Sequence, residues 1–264
     1  MPDFRRLAGN FGGVAIVVAL LLGVTFLPAD NSLQEVRSTG TISACVPATY
    51  PPLVTGDAEK PGIDIELLKA VTAHMGVTLS LNINDAIGRD INPRNWALNR
   101  GNCLIIAGGV VDSNLTRSFL ETSPPYAKTG WAVISPKPVT DLKGLNAGVL
   151  TLVSGLDRIG LANLLRHSET HLQIVRTPEE LAAGIADGSF DVGVTEALMA
   201  SHLASDNKWS VAWMPPELAR YNLVFGLWKG DMTLKHAIDA AFADLTADGT
   251  IADILARYAG APLN

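Results

Sequence analysis

Apolar and polar positions along this chain fall into blocks whose period switches between two and about 3.6, and each switch marks an element. Thr41–Val46 reads as a strand, broken by Tyr50-Pro51-Pro52-Leu53. Residues 64–75 place Ile65, Leu68 and Thr72 near one helical face with Leu67 and Val71 beside it, and Gly76 ends the helix. Residues 77–83 alternate as a strand, residues 95–99 form a short helix closed by Gly101, and the apolar run 104–111 is a buried strand. This βαβαβ series predicts a parallel sheet with right-handed crossovers.

A second series follows Pro138, with a strand at 147–150, a helix at 155–165 and a strand at 173–176. Thr177-Pro178-Glu179-Glu180 combines an N-cap, a first-turn proline and early acids, so a helix runs on to Ala186 and stops at Gly188. A strand at 191–195, a helix at 196–204, a strand at 211–214 and the apolar strand Tyr221–Trp228 come next. The tail, 232–246 and 250–259, predicts two helices on either side of Gly249. Trp131 suits hinge packing better than ligand contact, and Trp213 and Trp228 read as core.

Composition narrows the setting. Arg5 and Arg6 precede the uncharged apolar stretch 11–27, the charged and hydrophobic regions of a secretory signal, with Leu27-Pro28-Ala29 as an imperfect cleavage site. The alternatives are a retained membrane anchor, for which the stretch is somewhat short, or a buried core helix. No cysteine follows the stretch, which argues against a bacterial lipid anchor. The expected location is an oxidising compartment outside the cytoplasm. There, two cysteines read as a disulfide before a metal site. Cys45 lies in the first strand and Cys103 opens the 104–111 strand; neighbouring strands would bring the sulfurs together, and two separate buried thiols are the alternative.

A net charge of −6, with no basic run longer than Arg5-Arg6, argues against nucleic acid as a partner. The chain contains no Gly-x-Ser-x-Gly, no His-Glu-x-x-His and no cysteine free to pair with a histidine, and its five histidines are scattered. A non-catalytic protein without metal or cofactor is therefore expected.

The most informative stretch is Leu115-Thr-Arg-Ser-Phe-Leu-Glu-Thr-Ser-Pro-Pro-Tyr126, directly after the glycine-bearing strand 104–111. It sets one guanidinium, able to grip a carboxylate by paired hydrogen bonds, at the end of a buried strand. Here the chain resembles the periplasmic amino-acid-binding proteins of ABC transporters, the family 3 extracellular solute-binding proteins. Other ordered parts agree: Tyr50-Pro-Pro-Leu, Gly62-Ile-Asp-Ile-Glu-Leu-Leu-Lys, Thr122-Ser-Pro-Pro-Tyr, Asp141-Leu-Lys-Gly-Leu-Asn-Ala-Gly-Val and Asp244-Leu-Thr-Ala-Asp-Gly-Thr-Ile.

The resemblance implies an α/β, two-lobed periplasmic-binding-protein fold of type II, each lobe a mainly parallel sheet flanked by helices, with a two-strand hinge. Its boundaries would be 1–30 for the signal or anchor, 35–131 for lobe 1, 132–221 for lobe 2 and 222–264 for the return to lobe 1. It implies a monomer that closes like a flytrap on a small polar solute, an amino acid or related zwitterion, and delivers it to a membrane permease complex. Two alternatives stand beside transport: an accessory or sensing protein, such as the partner of a periplasmic quinoprotein dehydrogenase, and a cyclic-acid dehydratase on the same scaffold.

On this resemblance Arg117 meets the ligand carboxylate, Glu196 receives its ammonium, and Tyr50 packs on its side chain. Thr151 and Ser154 sit before a helix where they can hold an anion or cap the helix, and Asn114 lies beside the arginine. The chain departs from the family at Asp112, where a threonine or serine is usual five residues before the arginine. An acid there repels a carboxylate unless it turns away or meets a second cationic group, and it points toward a basic or dicationic ligand, or one that is no standard amino acid. Trp96, from a shifted position, stands in for a second aromatic.

Overall fold

A computed structural model describes residues 13, 15–19, 30–87, 93–151 and 156–258. Residues 1–31 separate from the remainder as a unit of their own, and the expected signal or anchor lies almost wholly outside the described residues. Among the described residues no helix is long and apolar enough to cross a membrane.

The remainder opens with helix α1 (Ser32–Thr39), strand β1 (Thr41–Val46), helix α2 (Ile63–His74), β2 (Thr78–Ile83), a 3-10 turn at Pro93–Trp96 and β3 (Ile105–Val111). β1 pairs in parallel with β2 on one side and β3 on the other. All seven residues of β3 are buried, which is why its sequence is a continuous apolar run instead of an alternating one. Helix α2 seals one face with Ile63, Leu67, Leu68 and Val71. It starts at Gly62, where φ is +105° and an added Cβ would lie 2.3 Å from the Leu53 carbonyl oxygen, so only glycine fits.

The sheet is mixed, not parallel throughout. β11 (Tyr221–Trp228) runs antiparallel to β3 and also to the short strands β4 (Leu120–Thr122) and β5 (Ala127–Thr129). Three-residue strands carry too little periodicity to be seen in the sequence. Between β3 and β4 lies helix α3 (Asn114–Phe119), capped by Ser113, whose hydroxyl accepts from the Thr116 N–H.

The second sheet runs β10-β6-β9-β7-β8, from β6 (Trp131–Ser135), β7 (Asn146–Leu150), β8 (His171–Val175), β9 (Val192–Glu196) and β10 (Ser210–Trp213). β7 lies parallel to β8 and β9, while β6 runs antiparallel to β9 and β10. Helices α4 (Arg158–His167), α5 (Pro178–Ala186) and α6 (Ala197–Asn207) connect these strands. The N-cap read from the sequence at Thr177 is present, its hydroxyl accepting from the Glu180 N–H. α4 starts a few residues later than the sequence suggests because Asp157 caps it, accepting from Gly160.

The chain passes between the sheets twice, at Thr129–Trp131 from β5 to β6 and again between β10 and β11. Helices α7 (Met232–Ala247) and α8 (Thr250–Tyr258) then pack on α1 and α2 beside the first sheet. Trp131 is buried at one crossing and donates to the Asp157 carbonyl. Trp213 and Trp228 pack against the core from its edge and are only partly buried. Trp213 is half-exposed beneath the Arg220 guanidinium, and Trp228 is half-exposed with its indole N–H on the Cys103 carbonyl. Trp96 is buried in a small cluster with Cys45, Cys103 and Ile87.

Cys45 and Cys103 form a disulfide between β1 and the start of β3, closing a loop of 58 residues. Constraining a loop of that length in the unfolded chain stabilises the fold by about 4 kcal/mol. A Cys45→Ala/Cys103→Ala variant is therefore expected to unfold at markedly lower urea concentration, with a larger m-value because its unfolded chain is no longer constrained. A midpoint equal to that of the oxidised protein would show that the bridge contributes nothing.

Candidate functional site

The site grows from a defect in β3. Gly108 and Gly109 have φ of +98° and +85°, and the β3–β11 register shifts between Val224 and Gly226. A Cβ at 108 would lie 2.1 Å from Pro47 Cδ, and one at 109 would lie 2.9 Å from the Tyr50 ring. The bulge turns both glycine N–H groups away from the ladder and onto Asp64 Oδ2, at 2.6 and 3.2 Å. Tyr126 donates to Asp64 Oδ1 at 2.6 Å. Asp64, near the start of α2, is thus fully buried, and burial lifts its pKa from 3.8 to about 6 although its three donors pull the other way.

Glu196 comes from the opposite sheet. It is the last residue of β9 and the N-cap of α6, with Oε1 accepting from the Leu198 N–H and Oε2 from the Met199 N–H, each at 3.0 Å. The Thr129 hydroxyl, at the end of β5, also donates to Oε1. Burial raises the Glu196 pKa above the ordinary carboxylate value, against the pull of these donors. A carboxylate has about four acceptor positions; Thr129, Leu198 and Met199 take three, and the Tyr50 hydroxyl lies against the same carboxylate.

Tyr50 reaches Glu196 from the loop after β1, held by a bridge to Val54. It is only 7% exposed, and its hydroxyl lies against the Glu196 carboxylate. Burial, followed by the nearby Glu196 charge, pushes its pKa well up, so it remains protonated. Tyr126 is held protonated in the same way by burial and Asp64. No described lysine, arginine or histidine forms an ion pair with Asp64 or Glu196. The centre therefore holds two buried acids that no described cation neutralises, where a cation is bound far more strongly than in bulk water.

Arg117 is held at the end of β3 by its own neighbour. Its Nε and Nη2 donate to the two oxygens of Asp112 at 2.5 and 2.7 Å, and its side chain is 63% exposed. The extra acid thus meets the arginine itself. Asn114 is exposed on α3, and Thr151 is half-buried after β7. Ser154 lies outside the described residues. The structure brings Tyr50 and Glu196 together and leaves Arg117 outside that group.

Asp64, Tyr126 and Thr129 are the members that sequence reasoning missed as site residues. Two carried a signal, since Gly62-Ile-Asp and Ser-Pro-Pro-Tyr were both recognisable motifs. Thr129 had none.

Two sheets joined by two crossings, with acids converging between them, define a two-lobed binding protein of the periplasmic type. The chain belongs to the bacterial extracellular solute-binding proteins, family 3, which it matches over residues 42–261. It is 24% identical over 267 residues to the L-cystine-binding protein TcyJ of Escherichia coli strain K12, covering 95% of this chain and 94% of that protein. Among solved structures, an ancestral cationic amino acid solute-binding protein superimposes with a TM-score of 0.71 at 19% identity, covering 86% of this chain and 99% of the other. A substrate-binding protein of an ABC uptake transporter from Streptococcus pneumoniae, with bound histidine, gives 0.65 at 20% identity over 87% and 96%.

Proposed function

We propose that this protein captures an amino acid or related amine between its lobes in the periplasm and presents it to an ABC permease, without chemical turnover. The observation that carries this reading is Glu196, a buried carboxylate that no described cation pairs with, with the protonated Tyr50 hydroxyl lying against it. An ammonium carries three donors and the full positive charge that this carboxylate lacks a partner for. The cystine-binding relative and the histidine-bound neighbour both take solutes with an amino group. We place the lobe boundaries at 35–131 with 222–264, and at 132–221.

The test is a thermal-shift screen of the folded protein against the common amino acids, cystine, polyamines and small organic acids lacking an amine. A true ligand raises the melting temperature with the logarithm of its concentration. Amine-bearing solutes are expected to do so, while acids without an amine give no shift. A screen in which only the amine-free acids respond would overturn the assignment.

A further inference from the structure

Asp112 is the feature that the proposed function does not absorb. It follows the last residue of β3, and its N–H donates to the Asn222 carbonyl in β11. Its side chain is 13% exposed, while the Arg117 side chain it holds is 63% exposed. Both Asp112 oxygens are engaged by the guanidinium in a fork-to-fork pair, the strongest geometry available to this couple. Glu196 likewise terminates a strand, β9. Ligands in open α/β sheets collect in the crevice beyond the carboxyl ends of strands, and Asp112 and Glu196 stand at two such ends in opposite sheets.

At the buried centre, Glu196 and Asp64 are acidic and Tyr50 and Tyr126 are neutral. The cation at the β3 strand end has its charge cancelled by its own neighbour. Resting on the reading that the site takes amines, we infer that Asp112 is a specificity-determining residue: it withholds Arg117 from the ligand, so the site selects for the ammonium and gains little from a carboxylate. The ligand class is then primary amines at large, amino acids and their decarboxylated counterparts alike.

Titration calorimetry with two matched pairs, L-arginine with agmatine and L-histidine with histamine, tests this. In the native protein the members of at least one pair bind within about threefold of each other, and Arg117→Ala leaves both affinities unchanged. Asp112→Ser and Asp112→Asn release the guanidinium, raising affinity for the amino acid at least tenfold while the decarboxylated partner is unaffected. Circular dichroism confirms that each variant is folded. A native preference of more than tenfold for the amino acid that Arg117→Ala erases overturns the inference about Asp112 and leaves amine capture standing. If none of the four probes binds at millimolar concentration, the role for Asp112 and the amine reading fall together.

Discussion

Replacing Glu196 by glutamine is expected to weaken binding of an amine solute by about a hundredfold or more. Removing one member of a buried, hydrogen-bonded charge pair costs roughly 2–5 kcal/mol of binding free energy, and a hundredfold corresponds to about 2.7 kcal/mol. The fold should survive the change. A glutamine carbonyl still accepts from the Thr129 hydroxyl and the Leu198 N–H, and only the Met199 N–H at the start of α6 loses its acceptor. A pH series separates charge from packing. Burial holds the Glu196 pKa above the usual carboxylate value, so the native protein should lose affinity as pH falls through that pKa and the seat becomes neutral. Glu196→Gln should bind weakly at every pH, with a shallower slope whose remainder belongs to Asp64. Calorimetry giving the variant an affinity within threefold of native would place the ammonium seat elsewhere.

The fold was legible in the sequence wherever an element was long enough to show its period. β1, α5 and β11 have the expected bounds, because alternation, an N-cap with proline, and a long apolar run are local signals. β4 and β5 were invisible, since a three-residue strand exists only through its partner, here β11. The site was legible in part. Glu196 follows a recognisable strand, and its position before a helix explains both its cap bonds and its burial. The Asp64 cluster was hidden because it depends on a bulge in β3, and Gly108-Gly109 in an apolar run does not say which carboxylate its N–H groups will meet. The placement of Arg117 was unreadable for a different reason. Residues 112 and 117 are five apart across a strand end and a short helix, and whether their side chains meet is settled by the cap at Ser113.

Asp64→Asn is expected to remove a large part of the pH dependence of folding stability. The Asp64 pKa is about 6 in the folded chain against an ordinary 3.8. A raised folded pKa means that the acid favours the folded state fully below pH 4 and that this contribution is lost as pH climbs through 6. The difference amounts to about 3 kcal/mol, at about 1.4 kcal/mol for each pH unit between the two values. Asparagine resembles the protonated acid in shape. Its carbonyl can take both glycine N–H groups, as Oδ2 does, and its amide can donate to the Tyr126 oxygen in place of accepting from it. Urea denaturation should therefore find the variant close to native in stability near pH 4 and about 3 kcal/mol more stable near pH 8. Groups whose pKa is lowered, such as Glu66 beside Tyr258 and Arg257, tilt both curves the other way and cancel in the difference. The slope that remains in the variant belongs in part to Glu196, whose pKa is also raised by burial, and a double variant with Glu196→Gln should flatten it further. Parallel stability curves for the native protein and Asp64→Asn would mean that Asp64 ionises as it does in open water, and the buried acidic centre would have to be abandoned.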